Sequence, residues 1–306
     1  KMNSLKIKFL IFFALIFCGF FSFAQTFFLD GNGVTVKCTG CVNGSTGQIA
    51  GSGPTYTALN NASLAAKNKA ASDWNRVVTS LVTDTSNLFK NATTFNQDIS
   101  SWDMSNVTNM EQTFRDARSF NQSLNNWDVS SVTSMKLMFA YTSGSGRNHI
   151  FNNGASTGVS GTLNWNTSSV TDMKQMFAPV GSNVGTHAFN QDIGNWDVSN
   201  VTNMSGMLKG AEQFNQDLSD WDVSSNTNFF SMFDRATIYN NLGVSLSCWD
   251  TSSVTFMTWM FGLSSFSQDL SAWCVPLIGP PAPSSFGNSG GTNPNWGAAC
   301  PGYSVV

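Results

Sequence analysis

The chain has 306 residues with 15 basic and 18 acidic side chains, a formal net charge of −3, and only 11% charged residues, about half the share usual in a soluble domain. No basic patch or run is present to hold phosphates, so a nucleic-acid partner is excluded. Two His and two Glu (Glu111 and Glu212) are a poor stock for acid–base chemistry, which argues against an enzyme, and no cofactor motif is found.

Residues 1–24 read as a secretory leader. Lys6 and Lys8 form a positive start, Phe9 to Phe17 an apolar stretch too short to span a membrane, and Ser22-Phe23-Ala24 a cleavage signal before Gln25. Cys18 invites a lipoprotein reading, but Phe17 stands where that processing wants a small residue. Removal of the leader leaves 12 basic residues against 18 acidic, a net −6, with no membrane span in the mature chain.

Residues 25–79 do not fit the pattern that follows and read as an N-terminal cap. Five cysteines remain after export into an oxidising compartment: Cys38, Cys41, Cys248, Cys274 and Cys300. Cys38-x-x-Cys41 lacks a second Cys/His pair at metal spacing and reads as a tight disulfide. Leu64, Asn68, Ala71, Trp74 and Val78 form a weak helical stripe.

Residues 80–275 are repetitive. The phrase Phe95 to Met110 (Phe-Asn-Gln-Asp-Ile-Ser-Ser-Trp-Asp-Met-Ser-Asn-Val-Thr-Asn-Met) returns at Phe120 to Met135, Phe189 to Met204 and Phe214 to Phe229. A second phrase, Val-Thr-x-Met-x-x-Met-Phe, starts at 82, 107, 132, 170, 201, 226 and 254, so a base period of 25 residues is interrupted by insertions. These fall at Tyr141 to Ile150, Gly154 to Gly161 and Pro179 to His187, all rich in Gly, Ser or Asn. Ile99, Trp102 and Met104 predict a short strand, and Val107, Met110 and Phe114, at i, i+3 and i+7, a short helical turn. Strands are therefore expected near 99–103, 124–128, 193–197 and 218–222. Stacking buries Trp102, Trp127, Trp196, Trp221 and Trp249 as structural residues, and places Asn96, Asn121, Asn152, Asn190, Asn215 and Asn240 in one row able to satisfy backbone groups. Leu163 stands two residues before Trp165 instead of three, which predicts a local bulge.

Residues 276–306 read as a C-terminal cap or tail, with Pro276, Pro280, Pro281 and Pro283. Cys274 and Cys300 bracket it and are the expected second disulfide, with Cys248 free inside the stack. The rival pair Cys248–Cys274 is one period apart, but the two cysteines lie on opposite sides of their tryptophans.

The phrases Phe-Asn-Gln-Asp-Leu-Ser-x-Trp-Asp-Val-Ser and Val-Thr-x-Met-x-x-Met-Phe resemble those of the BspA-like leucine-rich-repeat bacterial surface proteins over roughly residues 80 to 298. Period and resemblance together predict an α/β repeat: a right-handed LRR-like solenoid of short parallel strands and short helical turns, capped at both ends. The resemblance implies a secreted or surface location and an adhesion role, and it brings no catalytic residues.

Asp103, Asp128, Asp197, Asp222 and Asp250 follow the tryptophans, and Asp98, Asp192, Asp217 and Asp269 form a second row. Such rows could bridge a hard cation such as Ca²⁺, but no D-x-D-x-D-G loop is present, and each Asp can instead bind backbone N–H groups at its own turn. Gly287-Asn288-Ser289-Gly290-Gly291 resembles a serine-hydrolase phrase set in a Pro/Gly/Ser loop, with no His near. Two function classes remain: a module binding a host or neighbouring-cell protein or glycan, through its strand face or inserted loops, and a passive structural spacer. The inserted loops favour binding.

Overall fold

The computed structural model describes residues 24–142, 148–181, 185–288 and 290–297. The leader expected at 1–24, with Cys18, lies outside them except for Ala24, as do Cys300 and Ser289.

The N-terminal segment is a small β assembly. β1 (Thr26–Leu29) and β2 (Val36–Thr39) form an antiparallel hairpin. β3 (Thr46–Gly47) pairs antiparallel with β4 (Tyr56–Asn60), which runs parallel to β5 (Val77–Leu81). Phe27, Val36, Cys38, Ala58 and Val78 make its own small core, and a Cys38–Cys41 disulfide closes the loop after β2. Between β4 and β5 lies α1 (Asn61–Ala66), capped by Asn60, whose side chain accepts the Ser63 N–H. The longer helical stripe does not form. The backbone turns extended at Lys67, and Asn68 Oδ1 accepts the Ala70 N–H, a local bond that competes with helix.

Beyond Leu81 the expected fold class is overturned. The chain is not an LRR-like solenoid of strands and helical turns: among the described residues α1 is the sole α-helix, and strands occur only as short pieces in small sheets. Segments 99–103, 124–128, 193–197 and 218–222 contain no strand. Trp102 N–H donates to the Ile99 carbonyl and Val107 N–H to that of Met104, so this part of the repeat is a run of i→i+3 turns. The segment expected to be helical is instead the one that joins repeats. Single parallel bridges connect Asp84, Asn109, Ser134, Asp172, Asn203, Asn228 and Phe256, the third position of each Val-Thr-x-Met phrase.

The cause is a left-handed residue at the sixth position of every phrase: Asn87, Gln112, Leu137, Gln175, Gly206, Ser231 and Trp259 all have positive φ. One such residue breaks the i→i−4 ladder of an α-helix. Met110, Gln112, Phe114 and Asp116 therefore donate to the next repeat, to the carbonyls of Ser134, Lys136, Met138 and Ala140, at 3.0, 3.0, 2.8 and 2.8 Å. Successive i→i+3 turns generate the same apolar spacing as one face of a helix, which is why the sequence pattern misleads here.

Short strands appear where insertions add length. β6 (Tyr141–Thr142) pairs parallel with β8 (Pro179–Val180), and β7 (Gly161–Thr162) with β9 (Gln191–Asp192), next to the shortened approach to Trp165. At the far end β10 (Cys274–Val275) pairs parallel with β11 (Asn295–Trp296).

One core runs from Leu64 to Phe286. Phe95, Phe120, Phe151, Phe189, Phe214, Tyr239 and Phe266 stack at 5.9–6.2 Å between neighbours. A second column, Phe89, Phe114, Phe139 and Phe177, stacks at 5.3–5.5 Å. Each buried ring of this size contributes roughly 1.5–3 kcal/mol of hydrophobic stabilisation. Polar ladders hold the register. Each Asn of the row accepts, on Oδ1, the backbone N–H of its equivalent in the next repeat, from Asn121 on Asn96 (2.9 Å) to Asn240 on Asn215 (2.9 Å). Thr108, Thr133, Thr171, Thr202, Thr227 and Thr255 each donate their hydroxyl to the carbonyl of the preceding Thr. No helix among the described residues is long and apolar enough to cross a membrane.

Candidate ligand-binding groove

The third, fifth and sixth positions of the Val-Thr-x-Met-x-x phrase lie on the bridged face, half-buried or exposed in most repeats but buried at Ser205, Gly206 and Ser231, and their side chains differ from repeat to repeat. In the third, Asp, Asn and Ser give way to Phe256. In the fifth, Ser86, Glu111, Lys136, Lys174 and Ser205 precede Phe230. In the sixth, the large Gln112, Leu137 and Gln175 are followed by Gly206 and Ser231, then by Trp259.

The two small residues leave a hollow. Together with Lys174, Gln175, Ser205, Lys209, Asn228, Phe230 and Phe256 they line a groove of about 350 Å³. Its C-terminal rim is aromatic and open to solvent: Phe230 is 45% and Phe256 59% exposed, and Trp259, beyond the rim, 40%. Such residues are normally buried, and grouped exposed aromatics mark binding surfaces. The backbone under the groove is already satisfied. Gly206 N–H donates to the Phe230 carbonyl (2.8 Å), Phe229 N–H to Phe256 (2.8 Å) and Ser231 N–H to Thr258 (3.0 Å), while the Phe230 N–H is held by Asn228 Oδ1 (2.9 Å). Recognition here is therefore left to side chains: aromatic faces, amides, hydroxyls and two ammonium groups. Lys209 pairs with Asp234 at 3.0 Å, whereas among the described residues no carboxylate lies within ion-pair distance of Lys174.

The acidic rows do something else. Oδ1 of Asp103, Asp128, Asp197, Asp222 and Asp250 accepts the N–H of the residue two further on: Ser105, Ser130, Ser199, Ser224 and Ser252. Asp98, Asp192, Asp217 and Asp269 do the same with Ser100, Gly194, Ser219 and Ser271, each at 2.9 Å. The bonds from Ser224 hold the Asp222 carboxyl below its ordinary range. Among the described residues no three His, Cys, Asp or Glu side chains gather to hold a metal.

Trp102, Trp127, Trp196, Trp221 and Trp249 lie in the core at 3% exposure or less. Cys274 is disulfide-bonded, and its expected partner Cys300 lies outside the described residues. Cys248 is a free thiol, but it is exposed and not inside the stack. The residue before each Trp points away from the core that the Trp enters, and polar Asn126, Asn195 and Asp220 hold the equivalent place.

His149 and His187, distant in sequence, meet in the interior. Their rings stack at 5.0 Å with an interplanar angle of 6°, and both are fully buried. Each Nδ1 accepts the N–H of the Phe two residues on, Phe151 at 3.3 Å and Phe189 at 3.2 Å, which fixes the neutral ring with its proton on Nε2. Burial pushes His149 down to about 4 and His187 well below its ordinary value.

The groove itself was not expected from the sequence, which pointed to a strand face or the loops. Its signal was the variability of three positions inside an otherwise repeated phrase, with Phe and Trp entering polar columns. Residues 57–149 and 145–273 match the model of a family described as Mycoplasma protein of unknown function, DUF285. No match was found among the curated proteins or among the solved structures.

Proposed function

The chain belongs to that family, and from this premise we propose that it is a secreted or surface-exposed bacterial repeat protein, akin to the BspA-like proteins its phrases resemble, which binds a protein or glycan and performs no catalysis. The observation that carries the reading is the groove: Gly206 and Ser231 delete side chains from a column that is otherwise filled, beside Phe230 and Phe256 held in solvent. Exposing two phenyl rings is unfavourable by the area they would bury, and a ligand recovers it. An exported location is supported by the leader-like start, by the Cys38–Cys41 disulfide and by a surface of Asn, Ser and Thr in place of charge.

The alternative, a passive spacer, draws on the Thr and Asn ladders, which run through repeat after repeat whatever the surface carries. It gives no reason for the aromatic rim. Arrays of immobilised extracellular proteins and glycans, probed with the purified chain and with the Phe230→Ser/Phe256→Ser double variant, decide between the two. Binding that the double variant loses, at an unchanged denaturation midpoint, is expected. No binding to either array, or binding that the variant keeps, overturns the reading.

A further inference from the structure

Resting on that reading, we infer that the groove takes a sugar bearing a carboxylate, as in an acidic glycan of uronate or sialate type. Three features select this chemistry over a peptide or a neutral sugar.

The first is the saturated backbone. A peptide adding as a strand needs free N–H and C=O groups along an edge. Here Gln175, Gly206 and Ser231 donate to Ser205, Phe230 and Thr258 of the following repeat at 2.9, 2.8 and 3.0 Å. No edge is available to extend.

The second is the pairing of flat apolar faces with short polar groups. Phe230 and Phe256 offer surfaces on which the C–H face of a pyranose ring can lie, while Gln175, Ser205, Asn228 and Ser231 offer amides and hydroxyls to ring hydroxyls. Protein–protein anchors fill apolar pockets, whereas this groove sets Ser205, Asn228 and Ser231 beside its aromatic rim.

The third is charge. The chain is acidic, yet the charged residues lining the groove are Lys174 and Lys209. Asp234 already holds Lys209, which leaves Lys174 as the ammonium unpaired among the described residues. An ammonium at one end and an aromatic rim at the other, with hydroxyls between, match an oligosaccharide that carries a carboxylate on the ring nearest Lys174 and an apolar ring face over the aromatics. Lys174 stands at the N-terminal end of the groove and Phe256 at the other, so a ligand meeting both spans four consecutive repeats.

The test uses the full mature chain and three soluble probes: oligogalacturonate, its methyl ester, and the neutral parent oligogalactose. Sialyl and sulfated oligosaccharides are run alongside as immobilised glycans. Affinity for oligogalacturonate or a sialyl glycan should exceed that for the neutral and esterified forms by on the order of tenfold, the worth of one charge-assisted hydrogen bond. Lys174→Gln should remove that margin and leave binding of the ester unchanged. Lys136→Gln, one repeat outside the groove, should leave both unchanged. Equal binding of acid and ester, binding of sulfated but not carboxylated glycans, or a margin that survives Lys174→Gln overturns the inference. If the chain binds proteins through Phe230 and Phe256 and no glycan at all, the inference falls while the binding function stands. If it binds nothing, both fall.

Discussion

The indole Nε1 of Trp221 donates to the main-chain carbonyl of Ile193, 3.0 Å away in the preceding repeat, and that carbonyl also accepts the backbone N–H of Trp196 at 3.1 Å. The bond recurs along the stack. Trp127 reaches Ile99, Trp196 reaches Leu163, Trp249 reaches Leu218 and Trp273 reaches Leu246. Each Trp thus packs inside its own repeat while it reads the register of the one before. Trp221→Ala should cost about 3–5 kcal/mol, because repeats on both sides prevent the cavity from collapsing. Trp221→Phe keeps a ring against Trp249 and loses the donor, at a cost of about 1–2 kcal/mol. Denaturant titration of the two variants checks the order; equal losses would show that the indole bond contributes nothing.

Asn152 is the best-connected member of its row. Its Oδ1 accepts from Asn190 N–H and from Gln191 Nε2, both at 2.9 Å, and its Nδ2 donates to the carbonyls of Ser156 (2.6 Å) and Val159 (2.9 Å). Asn152→Ala removes four hydrogen bonds made by a fully buried side chain and should cost about 2–4 kcal/mol. Asn152→Asp does not rescue it, because the second carboxylate oxygen would face those two carbonyls. Asn96→Ala, at the exposed start of the row, should cost less than half as much. Denaturation midpoints of the three variants test this, and an Asp variant as stable as wild type would contradict it.

Part of this architecture is legible in the sequence, and part is not, for reasons that can be named. A Trp recurring at one phase of the period must meet its own copies when repeats stack, so the burial of Trp102, Trp127 and Trp221 follows from spacing alone. The backbone path does not follow, because Gln112, Leu137 and Trp259 carry a Cβ and give no sign of a left-handed φ; in that column Gly206 and Asn87 alone hint at it. The burial of Phe229 follows from its place at the Met of the repeated phrase, but the 45% exposure of its neighbour Phe230 beside a hollow does not, because that depends on the turn at Ser231.

The buried His149–His187 pair makes stability depend on pH. Both rings are neutral in the fold, with His149 near 4 against about 6.5 when unfolded. A depressed folded value means that the unfolded chain binds protons first. The contribution is therefore whole above about pH 6.5 and is lost as pH falls towards 4. Asp116, held down by Arg118 and Thr142 against its own burial, keeps its charge below its ordinary carboxylate value and leaves that window to the histidines. Melting temperature should drop between pH 6.5 and 4.5, and His149→Gln/His187→Gln should flatten the profile. A wild-type profile already flat over this window would contradict the assignment.

Cys248 is exposed and free while Cys274 is disulfide-bonded. Iodoacetamide should label the Cys248 peptide in the native, unreduced protein, without denaturant, and should leave Cys38 and Cys41 unlabelled. A Cys248–Cys274 peptide in a non-reducing digest would contradict the pairing and the placement of the C-terminal segment with it.

The account rests most on the hollow left by Gly206 and Ser231, and one substitution closes it. Gln already occupies the equivalent left-handed position at Gln112 and Gln175, so Ser231→Gln introduces a side chain this backbone is known to carry. The measurement is the affinity of wild type and Ser231→Gln for the same immobilised ligand, by surface plasmon resonance, with denaturation midpoints taken in parallel. The account predicts an equal midpoint and an affinity lower by on the order of tenfold or more, since filling the groove displaces the ligand. Equal affinity in the filled variant would contradict it.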